Sequence, residues 1–165
     1  MVWTAPLSNR NQANSALTYY LHFGPIVDQK LRIVSALLAQ ILSEPAFDVL
    51  RTREQLGYVV FCALWLLPGA SERGLRIGVQ SEKKPGYLEE RVEAFLGKMK
   101  TELEDMSDEE FEMHKTGLGK KWLEADKNLN EEASRLLSQI SSGHLDFLRR
   151  RCSTFCLTYR YLIFY

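Results

Sequence analysis

A chain of 165 residues is long enough for one domain with its own core. Lys plus Arg number 21 and Asp plus Glu number 21, so the formal net charge is zero, which argues against a protein held to nucleic acid by phosphate contacts. Hydrophobic residues at 45% and charged residues at 25% describe an ordinary globular protein, and the three cysteines do not make a disulfide framework.

Residues 1–14 are polar, are broken by Pro6, and show no basic start followed by an apolar stretch. They read as a lead-in without a secretory signal, and the expected setting is reducing and cytoplasmic. "SALTYYLHF" (15–23) is rich in β-formers, and the Gly-Pro pair that follows closes it as a strand. From Asp28 onward Leu31, Val34, Leu37, Leu38, Ile41 and Leu42 fall at helical spacing, with Asp28 placed to cap the start. Pro45 is expected to end or kink this helix and to open a short second one, "PAFDVLRTREQ", with Ser43 or Glu44 near its cap and Gly57 as its stop.

"YVVFCALWLL" (58–67) is a continuous apolar run between a glycine and a proline, which predicts a buried strand. After a turn at 68–74, Leu75, Ile77 and Val79 alternate with Arg76, Gly78 and Gln80, so 75–81 is a half-buried strand completing a hairpin. Pro85-Gly86 opens a helix carrying Leu88, Val92, Phe95, Leu96, Met99 and Leu103 on one face. Ser107 and Glu110 form a capping-box pattern ahead of Phe111, Leu118, Trp122 and Leu123. Asn130 is expected to cap a last helix with Ala133, Leu136, Leu137 and Ile140, stopped by Gly143. The class is α+β, with helices packed on one face of an antiparallel or mixed sheet.

Complete catalytic motifs are missing from this chain. His22, His114 and His144 make neither H-x-x-E-H nor H-E-x-x-H, and no phosphate-loop or nucleophile-elbow pattern occurs. Glu110 and His114 are four apart on a helix, which is two ligands where a closed zinc site needs four. Cys152 and Cys156 have no second pair, and Cys62 sits inside an apolar run as an inert core thiol. The segment "LRTREQLGYVVF" (50–61) supports two readings. Arg51, Arg53 and Glu54 suit a solvated helix end, where arginine complements the macrodipole. Alternatively, a helix end, a glycine and a strand start bring Arg51 and Tyr58 to one corner, where a guanidinium and a phenol can both donate to a peptide carbonyl.

"ILSEPAFDVLRTREQLGYVVF", "VQSEKKPGYLEERVEAFL" and "LEDMSDEEFEMHKTGL" together resemble the C-terminal, fourth domain of the insulin-degrading-enzyme-like zinc metallopeptidases of fungal type. That is the pitrilysin, or insulinase, family of inverted zincins, and the similarity runs from about Asn14 to about Phe147. The resemblance implies two similar halves closing around a chamber that holds a peptide substrate. The N-terminal half, absent here, carries H-x-x-E-H, Zn2+ and the general base. The C-terminal half completes the site. By this likeness Tyr58 donates to the oxyanion of the tetrahedral intermediate, Arg51 holds a substrate carbonyl, and Gln55 and Phe61 support them.

The expected domain is residues 1–148, partial and incomplete at its C-terminus, and 149–165 form a divergent apolar and aromatic tail. The tail is too short to span a bilayer and is interrupted by Arg160. The expectation is that the reading frame leaves the family sequence near Arg150, through an intron, a frameshift or a truncated gene. The expected partners are a peptide and an N-terminal catalytic half of the same or another chain, with a homodimer open as well, but no nucleic acid and no membrane span. For the family a mitochondrial location stands beside the cytoplasmic one. Without H-x-x-E-H this chain alone is expected to be inactive. A non-catalytic peptide-binding or dimerisation module, and a non-functional truncated product, are the competing functions.

Overall fold

Three segments rich in branched and aromatic residues form strands: β1 (Ser15–Pro25), β2 (Val59–Leu67) and β3 (Glu72–Ser81). They pair antiparallel in the order β1-β3-β2. The computed structural model describes residues 2–5, 9, 11–25, 27–67, 72–141, 143, 145 and 147. The expected tail from residue 149, with Cys152 and Cys156, lies outside the described residues, as do His144, Pro6 and residues 68–71 of the expected turn.

The alternation expected of β3 is observed. Leu75, Ile77 and Val79 are each at most 2% exposed and face the core. Full burial of each such side chain contributes roughly 1.5–3 kcal/mol. Val60 and Cys62 of β2 share this face with them. On the other face the Arg76 guanidinium lies over the rings of both Phe61 and Trp65, 4.7 Å from each centroid. Gly78 permits this stack, because a Cβ there would meet the Phe61 ring at 2.3 Å.

Helices cover the core face. In α1 (Gln29–Ala46), Asp28 is the cap as expected, its carboxylate accepting from the N–H groups of Lys30 and Leu31 at 2.8 and 3.2 Å. One side of α1 sends Ala39, Leu42 and Ala46 to the sheet, and the other sends Ile33, Leu37 and Ile41 to Leu118. By length and composition alone the helical stretch Gln29–Arg53 is apolar enough to cross a bilayer. Its apolar side chains are instead the centre of this domain's two cores. In α2 (Pro85–Glu104), proline opens the helix and Leu88, Val92, Phe95 and Met99 are buried at the expected spacing. Ser107 caps α3 (Asp108–Leu123) by accepting from the Glu110 N–H at 3.2 Å. Gly143, with φ +72°, and its N–H bond to the Ile140 carbonyl close α4 (Leu129–Ser141).

Four expectations are corrected. Pro45 lies in the last turn of α1, which ends one residue later at Ala46, and the expected second helix is π-helical and is capped by neither Ser43 nor Glu44. The chain continues into a π-helical segment, Phe47–Arg53. Ala46 and Leu50 are wholly buried on either side of the junction, and that packing outweighs the ~3 kcal/mol proline penalty. β2 is not buried on both faces. Among the described residues it is an edge strand whose outward residues meet Arg76 and solvent, so its apolar run reflects a cation-stacked face. The cap of α4 is Asn128, whose side-chain Oδ1 accepts from the Glu131 N–H at 2.9 Å, and not Asn130, which lies inside the helix. The apolar side of α4 buries nothing among the described residues, with Leu137 and Ile140 more than half exposed.

Candidate active-site corner

The π-helical segment decides where the candidate residues point. Its wider turns carry the Glu54 N–H to the carbonyl of Val49, five residues back, at 2.9 Å. Leu56 then donates to the Leu50 carbonyl at 3.0 Å and is 2% exposed. Between them Gln55 adopts φ +50°, an uncommon conformation for a residue with a Cβ. Gly57 lies against the end of β3, where an added Cβ would stand 1.8 Å from the Gln80 carbonyl oxygen. The chain thus reverses from helix to strand within four residues and delivers Tyr58 beside Arg51.

The two are in contact. The Arg51 guanidinium carbon lies 5.1 Å from the Tyr58 ring centroid and 4.7 Å from that of Phe47. It lies over two aromatic rings, contacts that suit its planar, weakly hydrated cation. Among the described residues no carboxylate pairs with it, and the Tyr58 hydroxyl makes no hydrogen bond. The neighbouring Arg53 is engaged differently, in an ion pair with Asp48 at 2.8 Å. Tyr58 is 84% exposed. Arg51 and Tyr58 therefore present a cation and a phenolic donor whose polar groups are uncommitted.

Sequence reasoning missed Phe47. Its four-residue offset from Arg51 within a helix was the available signal. Sequence reasoning placed Glu54 on a solvated helix end, whereas the Glu54 carboxylate accepts from Arg91 of α2 through Nε at 2.7 Å and Nη2 at 2.6 Å. These hydrogen bonds hold the Glu54 carboxyl below the usual carboxylate range, and the same bonds raise the Arg91 pKa. Phe61 does not join the corner, since its ring stacks on Arg76. Gln55 lies in the connection beside it, with φ +50° and its side chain exposed.

Glu110 and His114 lie along one cleft, between α1, α2 and α3, of about 810 Å³. Among the described residues no three His, Cys, Asp or Glu side chains gather as metal ligands, so these residues do not fit a zinc site.

With that geometry in place, comparison with known proteins identifies the domain. The family described as PQQ synthase PqqF-like, C-terminal lobe domain 4, matches residues 37–137. The chain belongs to the pitrilysin/insulinase family, as its C-terminal domain. It is 40% identical over 141 residues to the insulin-degrading enzyme of Drosophila melanogaster, covering 86% of this chain and 14% of that one. It is 37% identical over 145 residues to the A-factor-processing enzyme of Saccharomyces cerevisiae, covering 88% of this chain and 14% of that one. The crystal structure of pitrilysin superposes with a TM-score of 0.71 at 29% identity, over 89% of this chain and 16% of that one. The chain thus spans about one seventh of the length of these curated relatives. Family members are zinc metalloproteases.

Proposed function

We propose that this chain is the part of a zinc metalloendopeptidase that closes the peptide site from the side opposite the metal. In this reading zinc and the general base belong to an N-terminal half, and this domain contributes two donors. The Tyr58 hydroxyl donates to the oxyanion as the scissile carbonyl becomes tetrahedral, and Arg51 donates to a neighbouring carbonyl of the bound peptide. The observation that carries the reading is the Phe47–Arg51–Tyr58 stack. The cation lies over both rings, and among the described residues no carboxylate pairs with it and no hydrogen bond engages the adjacent phenol, so both donors can serve a ligand.

A quenched fluorescent peptide assay tests it, using this chain, a zinc-bearing N-terminal half of a family member, and the two mixed. The expected result is no turnover from this chain alone and turnover from the mixture. Tyr58→Phe removes one oxyanion donor, worth about 3 kcal/mol, and lowers kcat roughly 100-fold at unchanged zinc content. Metal-dependent turnover by this chain alone overturns the reading.

A second reading, a non-catalytic peptide-binding or dimerising module, is favoured by the exposed apolar side of α4. Sedimentation of the chain with and without peptide separates it from the first.

A further inference from the structure

We infer that Glu54 and Arg91 are positioning residues that hold Arg51 and Tyr58 in register with each other. The catalytic meaning of this rests on the function proposed above, but the geometry is a property of the chain itself. Arg51 is on the last turn of a π-helical segment and Tyr58 precedes an edge strand, so their separation is set by the connection 54–57. That connection is not self-supporting. Gln55 holds φ +50° without being glycine, a conformation that persists only where the surroundings impose it.

Three things impose it. Leu56 is pinned in the core with its N–H on the Leu50 carbonyl. Gly57 is flush with the Gln80 carbonyl. The third is the Glu54 carboxylate, gripped by two bonds from Arg91. The first two locate the C-terminal half of the connection, which leads to Tyr58. The third is a side-chain tie at Glu54, the residue that caps the π-helical segment three positions after Arg51, where the backbone N–H also bonds the Val49 carbonyl. Two parallel N–H···O bonds fix direction as well as distance, which a single bond from lysine does not. Arg91 is itself anchored, because α2 buries Leu88 and Val92 on either side of it. The fork therefore ties the guanidinium end of the corner to the domain core, as Gly57 ties the phenol end.

The test reads the corner directly, by NMR of the 165-residue chain with labelled arginine. A guanidinium lying over two rings carries ring-current shifts, so the Arg51 side-chain resonances report the stack without substrate or partner. Glu54→Gln and Arg91→Gln are each expected to remove more than half of that shift. The double variant is expected to lose no more than either single, and Arg91→Lys to fall between. Lys98→Gln breaks a different ion pair of α2, Lys98–Glu102, and is expected to leave Arg51 unmoved. Should the glutamine variants not fold, Arg91→Lys carries the same decision with the charge retained. Unchanged Arg51 shifts in folded fork variants overturn the inference, whatever the turnover. Collapsed shifts in those variants, alongside unimpaired turnover of Tyr58→Phe in the mixed assay, overturn the proposed function and leave the fork standing.

Discussion

Gly57 is packed against Gln80 so closely that a methyl group on its α-carbon would stand 1.8 Å from the Gln80 carbonyl oxygen. The obstacle is backbone of the central strand, which cannot swing aside as a side chain can. Gly57→Ala is therefore expected to cost about 3 kcal/mol, read as a lower urea midpoint at unchanged slope. At Gly78 the obstacle is the Phe61 ring, which can rotate. Gly78→Ala is expected to cost only on the order of 1 kcal/mol. Equal losses at the two positions would contradict the packing described.

Gly57 is legible in the sequence as a helix stop, but its packing against Gln80 is not. The alternation of 75–81, the cap at Asp28 and the Ser107 cap are local signals, and local physics decides them. The π-helical segment is different. Nothing in "FDVLRTR" announces one extra residue per turn, because that register is set by burial of Ala46 and Leu50 on either side of the junction. The edge position of β2 was hidden for a related reason. An apolar run describes what a strand avoids, and stacking on Arg76 satisfies it as well as a second layer would. At α4 the signal was present but passed over: Glu131 lies three residues after Asn128, the spacing of a capping box, whereas Ala133 lies three after Asn130. Of the site, the sequence suggested Arg51 and Tyr58 as neighbours, and they touch. Phe47 was within reach through its four-residue offset from Arg51, but the Glu54–Arg91 fork, 37 residues apart, needed the fold.

Replacing Arg51 by lysine separates charge from shape. The ammonium keeps the positive charge but loses the flat surface that lies over Phe47 and Tyr58. An exposed cation–π contact is worth about 0.5–1 kcal/mol, and two are at stake. Arg51→Lys is expected to lower kcat/KM of the mixed enzyme roughly tenfold, the equivalent of about 1.4 kcal/mol. Phe47→Tyr, which keeps the ring, is expected to stay near wild type, and Phe47→Ala to fall below it. Peptide turnover under first-order conditions checks all three.

The Glu54–Arg91 fork has a definite pH signature. Hydrogen bonding to Arg91 lowers the Glu54 pKa in the folded chain relative to the unfolded one, which is about 4.3. A depressed carboxyl stabilises the fold above the unfolded pKa, and that stabilisation is lost as the pH falls through the folded pKa. The stability gap between wild type and Glu54→Gln is expected to be full at pH 6, to narrow below about pH 4, and to close in stronger acid. Urea melts across that range measure it. A gap that widened in acid would contradict the assignment.

Cys62 offers a test of the core itself. The residue is 6% exposed, and burial pushes its thiol pKa up to about 12. The thiolate is the reactive form, so at pH 8 the folded chain presents almost none of it. With Cys152 and Cys156 replaced by serine, a disulfide reagent is expected to release no chromophore until urea is added, and then one equivalent. Rapid labelling in buffer would place Cys62 outside the core described.

Strand order also dictates an order of assembly. β2 and β3 are adjacent in sequence, whereas β1 reaches β3 only across the whole intervening helix and hairpin, with Ser15 opposite Ser81. β1 and β2 never pair with each other. The short loop closes at far lower entropic cost, so the hairpin is the early structure and β1 is the late arrival. Substitutions in β3 are then expected to slow folding, and those confined to β1 chiefly to hasten unfolding. The same order makes the Arg76 stack with Phe61 and Trp65, which lies wholly within the hairpin, available before the domain is complete. A cation clasped by two rings thus serves as an early staple for a strand pair whose third member is still unplaced.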